Sequence, residues 1–424
     1  MSFRFQEDWF SSVGLPSLQK GQGVHQVSSS LKSLVPQLVR QAIDVAIEAG
    51  ASDLHFEPGP DQYALRVRHN GTLLAEEKYE PELQPRITTH IKALADLDIT
   101  EKRRPQDGRI RWANGGGQVD IRVSTVPGAH GEKTVLRLLD PSKLPESLAG
   151  LGMDGRTRAA LETAAERSRG LILVTGPTGS GKSTTLYTLL KSTDRDQRNV
   201  MTVEDPVEYE LAGVTQVAVD TKVNRTFASV LRSFLRQDPD VLLVGEVRDL
   251  ETAEICIRAS LTGHLVLSTL HTNDAVGSIL RMLDMGIPPY LLADSLSLVC
   301  SQRLLRTLCP HCIRDDPAGL QILAEYDLSE SISNEPRISA GCEKCRGTGV
   351  SGRTGIYETL IVSSSIQEAI RNNASSARLD DIARSEGLVP LLDQGLDLVN
   401  RGMVAAQEVL IQVLTAGSIG KNHA

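Results

Sequence analysis

Residues 176–183 have the composition and spacing of a phosphate-binding loop. Its glycines let successive backbone N–H groups curl around a phosphate without Cβ clashes, Lys182 adds a positive charge, and Ser183 offers a hydroxyl to Mg²⁺. An apolar, β-prone run precedes the loop and helical spacing follows it, which is the context that this motif requires. The pattern therefore predicts nucleotide binding by Gly176, Pro177, Thr178, Gly179, Ser180, Gly181, Lys182 and Ser183.

Two further apolar runs downstream of the loop end in carboxylates. The first leads into Glu204, Asp205 and Glu208, and the second, Val241–Val244, leads to Glu246. Carboxylates at the C-terminal ends of strands in an α/β fold can hold Mg²⁺ or polarise an attacking water. We therefore take the three glutamates as catalytic candidates, with Glu246 at the usual position of a Walker B aspartate. A solvated acidic loop is the alternative for the first group.

Histidines flank another apolar run, with His264 before it and His271 after it. A histidine beside a nucleotide can sense or orient the γ-phosphate. A purely structural role is equally open for each of them from the sequence.

Two C-x-x-C pairs, Cys309 with Cys312 and Cys342 with Cys345, are separated by 29 residues. Four thiolates at this spacing suit a closed tetrahedral zinc site. We predict that the role of this Zn²⁺ is structural, since no coordination position remains for chemistry. Thiols without metal are the alternative.

Composition restricts the class of protein. A chain of 424 residues allows two to four domains, and its net charge of −8 argues against a broadly basic nucleic-acid binder. It has no apolar run of about 18 residues and no signal-peptide pattern at its start, which predicts a protein of the reducing cytosol. The other two cysteines, Cys256 and Cys300, are expected in the cores of helical segments.

The remaining elements follow from hydrophobic periodicity. Four of the first ten residues are aromatic (Phe3, Phe5, Trp9 and Phe10), and they either pack on their own domain or form a docking peptide. Strands and helices alternate from about position 154, whereas helix is predicted after Tyr290 and through the tail. The predicted divisions are a flexible lead-in (1–32), an α+β domain (33–140), a linker (141–153), an α/β domain (154–300), a four-cysteine subdomain (301–360) and a helical subdomain (361–424).

Several segments together resemble the hexameric assembly ATPases of the type II secretion and type IV pilus family. The four-cysteine insert favours the extension and secretion branch over the retraction branch. The resemblance covers roughly residues 33–420, and the matching segments are 51–58, 104–109, 119–125, 176–184, 204–208, 245–249, 263–271 and the two cysteine pairs.

The resemblance implies an α/β fold: a PAS-like α+β domain, then a RecA-like P-loop motor with a zinc insert and a helical tail. Lys182, Ser183 and Thr184 would hold the phosphates of ATP and Mg²⁺, and Glu208 would act on water. The family pattern further implies nucleotide-linked roles for the Walker B acid Glu246, the His-box pair His264 and His271, and the arginines Arg109, Arg122, Arg232 and Arg236.

The resemblance also implies a cytoplasmic homo-hexamer, peripheral to the inner membrane through partners. Those partners would be a membrane platform protein and a cytoplasmic or bitopic docking protein, with no nucleic acid. Larger relatives carry an extra N-terminal docking domain, so the mode of recruitment stays open. A DNA-transfer motor is the main alternative, although the acidic charge disfavours it. A non-catalytic scaffold would be expected to lack the carboxylates, and no GTPase base-reading motif follows the loop.

Overall fold

The computed structural model of the protein describes residues 27–115 and 117–414. The chain divides into two compact units between Lys143 and Leu144, inside the segment predicted as a linker. The aromatic cluster at positions 3–10 lies outside the described residues. Within the described ranges, no helix is both long and apolar enough to cross a membrane.

The described part of the N-terminal unit is a six-stranded antiparallel sheet with two α-helices. The strand order is β3-β2-β1-β6-β5-β4, and the core forms between one face of the sheet and both helices, with Ile43, Leu54 and Ile91 fully buried. The elements are α1 (Val27–Glu48), β1 (Asp53–Pro58), β2 (Tyr63–His69), β3 (Thr72–Tyr79), α2 (Gln84–Leu94), β4 (Gln106–Asn114), β5 (Gly117–Gly128) and β6 (Gly131–Leu139).

Local chemistry sets the turns of this unit. Asn70 and Gly71 join β2 to β3 with φ of 48° and 80°, the left-handed pair that a tight two-residue hairpin needs. The Asn-Gly signal therefore predicted this hairpin correctly. Gly50 follows α1 with φ of 76°, and its N–H donates to the carbonyl of Ile47, as expected of a helix stop.

The C-terminal unit is built on a seven-stranded sheet in the order β15-β12-β7-β11-β10-β8-β9. Neighbouring strands are parallel except at the β12–β15 edge, which is antiparallel. Alternate residues of β7 enter different cores, Leu171 and Leu173 on one face and Ile172 and Val174 on the other. A sheet covered on both faces explains why its central strands β7, β10 and β11 are fully buried and largely apolar.

The strands of this sheet are β7 (Gly170–Thr175), β8 (Val200–Glu204), β9 (Val214–Ala218), β10 (Val241–Val244), β11 (Leu265–Leu270), β12 (Leu296–Leu308) and β15 (Val350–Ile361). The helices before and between them are α3 (Gly155–Glu166), α4 (Lys182–Ser192), α5 (Phe227–Phe234), α6 (Leu250–Leu261), α7 (Ala275–Asp284) and α8 (Pro289–Ser295).

The predicted helix after Tyr290 is mostly wrong. α8 ends at Ser295, and β12 then pairs with both β7 and β15. Cys300 therefore lies in a strand, and the predicted boundary after residue 300 falls inside β12. The first eight residues of β12 are all buried, and a fully buried strand has no alternating pattern that would distinguish it from a buried helix. β9 and β15 were also missed.

A small cysteine-bearing segment connects β12 to β15. It contains the two-stranded ribbon β13 (Ile313–Asp315) and β14 (Arg337–Ser339), with α9 (Pro317–Glu325) between them. After β15 the described tail is helical, as predicted, and ends in the helical turn Leu410–Leu414. Its helices are α10 (Ser364–Arg371), α11 (Ser376–Ser385), α12 (Leu391–Asn400) and α13 (Ala406–Val409).

Candidate nucleotide-binding site

The predicted phosphate loop connects the C-terminal end of β7 to the start of α4. Gly176, Gly179 and Gly181 have φ of 143°, 82° and 90°, a region in which only glycine is unstrained. A Cβ on Gly176 would lie 2.6 Å from the Gln302 carbonyl oxygen, whereas a Cβ on Gly179 would meet nothing within 4 Å. The loop is therefore packed on one side and open on the other, as a cradle for phosphate must be.

Two side chains of the loop are poised for an anion. Lys182 donates to the carbonyl oxygens of Gly176 and Pro177 at 2.8 and 3.0 Å. Burial lowers the pKa of Lys182 to about 8, against the opposing charge of Glu246 and with the help of Arg303. The Oγ of Ser180 is buried without a hydrogen-bond partner among the described residues. An unsatisfied hydroxyl and a desolvated ammonium fit a site completed by phosphate.

A residue of β12, Gln302, holds the phosphate loop through hydrogen bonds, and the sequence did not point to it. Gln302 is buried; its Nε2 donates to the Ser180 carbonyl at 2.6 Å, and its Oε1 accepts from Thr185 Oγ1 at 2.9 Å. The adjacent Arg303 donates to the carbonyl of Asn273 at 2.8 Å, in the loop after β11. The sequence signal that could have indicated these two residues is a polar Gln-Arg pair inside an otherwise apolar run.

Glu246 and His271 meet at the C-terminal edge of the sheet. One Glu246 oxygen pairs with Arg248, and the other lies 3.5 Å from His271 Nε2. Arg248 also lies 3.7 Å from Asp205. Burial lowers the pKa of His271, and the charge of Lys182 lowers it further. An imidazole whose lowered pKa favours its neutral form, placed beside the Glu246 carboxylate, can accept or orient a proton near the loop.

Glu204 and Glu208 have different surroundings although they are only four residues apart. Glu204 is buried at the end of β8, where it accepts hydrogen bonds from Tyr187, Thr202 and Gln216. Glu208 is half-buried in the loop beyond, and its charge helps to hold Lys182 protonated. Glu208 is therefore the better placed of the two to act at the loop.

The structure does not bring His264 to this edge. His264 precedes β11 whereas His271 follows it, which separates them by roughly 20 Å of extended strand. The His264 Nδ1 instead lies 3.0 Å from the carbonyl oxygen of Ala259, in the last turn of α6. Within one chain, the two histidines cannot act on the same phosphate.

The four arginines that the resemblance links to nucleotide are described by their contacts with other protein groups. Arg232 pairs with Glu251, and Arg236 donates to the Arg232 carbonyl at 2.6 Å. In the N-terminal unit, Arg109 and Arg122 are direct neighbours across β4 and β5. The guanidinium of Arg109 donates to the carboxylate of Asp120 at 2.7 and 3.1 Å. Contact of these arginines with a nucleotide therefore stays a prediction.

The four cysteines form one compact cluster, with all their sulfur atoms within 4.8 Å of one another. The individual separations include 3.9 Å for Cys309–Cys342, 3.8 Å for Cys312–Cys345 and 3.7 Å for Cys342–Cys345. Four sulfurs at about 2.3 Å from one Zn²⁺ would be about 3.8 Å apart. Burial alone would raise the pKa of Cys345, but the N–H groups of Cys342 and Gly349 donate to its sulfur and lower the pKa to about 7. The donor set fits a divalent metal.

The parallel sheet, the phosphate loop and the acid-histidine pair define the chain as a P-loop nucleotide-binding protein. Residues 29–411 match the family model described as "Type II/IV secretion system protein". The chain belongs to this family.

Relatives and solved structures agree with this membership. The chain is 45% identical to the type II secretion system ATPase E of Vibrio cholerae, over 88% of this chain and 74% of that protein. It is 47% identical to the type II secretion system protein E of Dickeya dadantii, with the same two shares covered. The pilus retraction motor PilT, solved with bound ADP, is 27% identical with a TM-score of 0.63, over 91% of this chain and 98% of that one.

Proposed function

We propose that this protein is an ATP-hydrolysing motor that powers assembly of a pseudopilus or pilus fibre at the inner membrane. The observation that carries the proposal is the intact phosphate loop facing Glu246 and His271 at one edge of a parallel sheet. Membership of the secretion family and the names of its ATPase relatives support it.

Each residue of the site has a definite task in this proposal. Lys182 leaves the carbonyls of Gly176 and Pro177 to bind the terminal phosphates, and backbone N–H groups of the loop hold the β-phosphate. Ser183 and Glu246 would hold Mg²⁺, with Thr184 beside them. When bound, Mg²⁺ neutralises charge on the phosphates. Glu208 orients the attacking water, and His271 reports on the γ-phosphate.

The finer architecture belongs to the same proposal. The C-terminal unit is a RecA-like motor domain, and the six-stranded N-terminal unit is a PAS-like domain. The cysteine cluster would hold a structural Zn²⁺ through Cys309, Cys312, Cys342 and Cys345, whose sulfur separations suit tetrahedral coordination. When bound, the metal would hold together the two ends of the segment between β12 and β15.

The motor works as a homo-hexamer on the cytoplasmic side of the membrane. Its partners are a platform protein and a docking protein of the secretion machine, and its contact with the membrane is indirect. Arg109 and Arg122, with Arg232 and Arg236, would supply positive charge as phosphoryl transfer proceeds. Because His264 lies at the opposite end of β11 from His271, a role for it in this family pattern would be at the nucleotide of another subunit.

Steady-state ATP hydrolysis per subunit, measured over a range of protein concentrations, tests the proposal. We expect turnover that rises with concentration and is lost in Lys182→Ala and Glu208→Gln. The mass of the assembly, measured in the same solutions, distinguishes a preformed ring from a site complete in one chain. Wild-type turnover in Lys182→Ala would contradict the proposed motor.

A further inference from the structure

The buried Tyr187 connects the helix of the phosphate loop to the strand that ends in Glu204. It lies on α4, which begins at Lys182, and its hydroxyl donates to one carboxylate oxygen of Glu204. The other oxygen of Glu204 accepts from Thr202 Oγ1 at 2.5 Å and Gln216 Nε2 at 3.2 Å. Glu204 is only 4% exposed. Its carboxylate is therefore already satisfied by the protein itself.

The same phenol oxygen also holds the loop that carries Glu208. It accepts the backbone N–H of Glu208 at 3.2 Å and that of Tyr209 at 3.5 Å. The rings of Tyr187 and Tyr209 pack edge to face, with centroids 5.6 Å apart. One hydroxyl thus joins three elements of the site: the loop helix, the end of β8 and the Glu208 segment.

The direction of each hydrogen bond follows from protonation. Burial raises the pKa of Tyr187 far above its usual range, and the charge of Glu204 raises it further. The phenol therefore keeps its proton and donates it in a hydrogen bond to Glu204. The lone pairs of the phenol oxygen remain free to accept the N–H of Glu208. Gln216 secures the next residues, since it donates to the Tyr209 carbonyl at 2.9 Å and accepts from the Leu211 N–H at 2.7 Å.

We infer that Tyr187 and Glu204 are positioning residues for ATP hydrolysis, which act by fixing the backbone of Glu208. Glu204 orients the phenol of Tyr187. The phenol in turn fixes the position of the Glu208 backbone, from which the Glu208 side chain extends. Glu204 is then a support and not the group that meets water or nucleotide, although it is the first carboxylate after β8. This inference rests on the proposed role of Glu208.

The Tyr187→Phe variant removes one oxygen atom and keeps the ring. A displacement of the catalytic group by about 1 Å can cost up to about 100-fold in rate, so we expect kcat to fall about 10- to 100-fold. The KM for ATP and the Kd for ADP should stay within about threefold, because the phosphate loop is untouched. A wild-type kcat, or a raised KM with unchanged kcat, would overturn the inference.

Tyr357→Phe is the matched control for losing a buried phenol. Tyr357 is also buried in the C-terminal unit, and its hydroxyl donates to the Leu151 carbonyl at 2.9 Å. The other hydrogen bonds that Tyr357 makes to side chains of the described residues go to Gln394 and not to the Glu208 segment. Its loss should therefore lower the melting temperature without lowering kcat more than about threefold. An equal fall in kcat for the two variants would show that Tyr187 acts through stability alone.

The Glu204→Gln variant distinguishes a positioning role of Glu204 from a catalytic one. It also tests the inference if the Tyr187→Phe variant fails to fold. The amide keeps an oxygen acceptor for the phenol, so kcat should fall by less than about 10-fold, whereas Glu208→Gln should be inactive. Loss of all turnover in a folded, ADP-binding Glu204→Gln would overturn the inference. Full activity in Glu208→Gln would instead overturn the proposed role of Glu208, and the inference with it.

A double-mutant cycle tests the route of action. Tyr187→Phe should cost much less in a Glu208→Asp background, where the carboxylate is already misplaced, than in the wild type. An equal cost in both backgrounds would show that Tyr187 acts independently of Glu208.

Discussion

The protonation of Lys182 makes nucleotide binding dependent on pH. Its ammonium is desolvated among loop carbonyls, which lowers its pKa to about 8 in the nucleotide-free protein. Phosphate oxygens favour the charged form, so binding raises this pKa again. Below pH 8 the lysine already carries its proton. Above pH 8 it must take one up from solution before it can pair with phosphate.

The size of the effect follows from the shifted value. With a pKa of about 8, about half of the Lys182 side chains are neutral at pH 8 and about nine-tenths at pH 9. Binding of ADP should therefore take up about 0.5 proton at pH 8 and about 0.9 at pH 9. The apparent Kd should rise about fivefold between these two pH values.

Isothermal titration calorimetry with MgADP, in two buffers of different ionisation enthalpy, measures both quantities. Lys182→Arg is the matched control because a guanidinium stays charged throughout this range. Its Kd should be independent of pH, whatever its absolute affinity. Binding heats that do not depend on the buffer, or the same pH dependence in Lys182→Arg, would refute the reasoning.

Three further predictions concern the support of the phosphate loop, the cysteine cluster and a buried glutamate of β15. Gln302→Leu keeps the volume but leaves the Ser180 carbonyl and the Thr185 hydroxyl unpaired, so the free energy of unfolding should fall by about 2–4 kcal/mol; unchanged stability in urea denaturation would contradict this. Cys342→Ser should reduce zinc from about one ion per chain to well below that by mass spectrometry, and full zinc content would exclude the cysteine site. Glu358 is buried in β15, where its carboxylate accepts from the backbone N–H groups of Ala275 and Leu391. Burial raises its pKa from 4.5 to about 7, so the folded state binds its proton more tightly than the unfolded chain. Stability should therefore be lost as pH rises from 4.5 through 7, by about 3 kcal/mol in total. Urea denaturation at pH 5 and 8 should show a smaller loss in Glu358→Gln, and an equal loss would contradict the assignment.

Local patterns predicted the elements whose signals are contained in a few neighbouring residues. The hairpin at Asn70 and Gly71 and the strand before Gly176 belong to this group. The strand β12 does not, because both its faces are covered and its apolar run has no alternation. Its place beside β7 depends on residues far away in the chain.

The candidate site divides in the same way. The loop glycines, Lys182 and the pair of Glu246 with His271 were predictable, since parallel strands end at one edge of the sheet. The sequence could not distinguish His264 from His271, because both adjoin the same strand. It also could not show that Glu204 is enclosed by Tyr187 and Gln216.

The sequence by itself determined that the protein binds nucleotide, since a phosphate loop is a local structure whose glycines and lysine are consecutive. It likewise determined the four-cysteine cluster, because thiols at that spacing have little other use in this class of chain. Only the tertiary structure decided which polar groups support the loop, as Gln302 reaches Ser180 across more than a hundred residues of chain. Burial in turn set the protonation of Lys182 and Tyr187, since desolvation depends on all the surrounding atoms and not on neighbours in sequence.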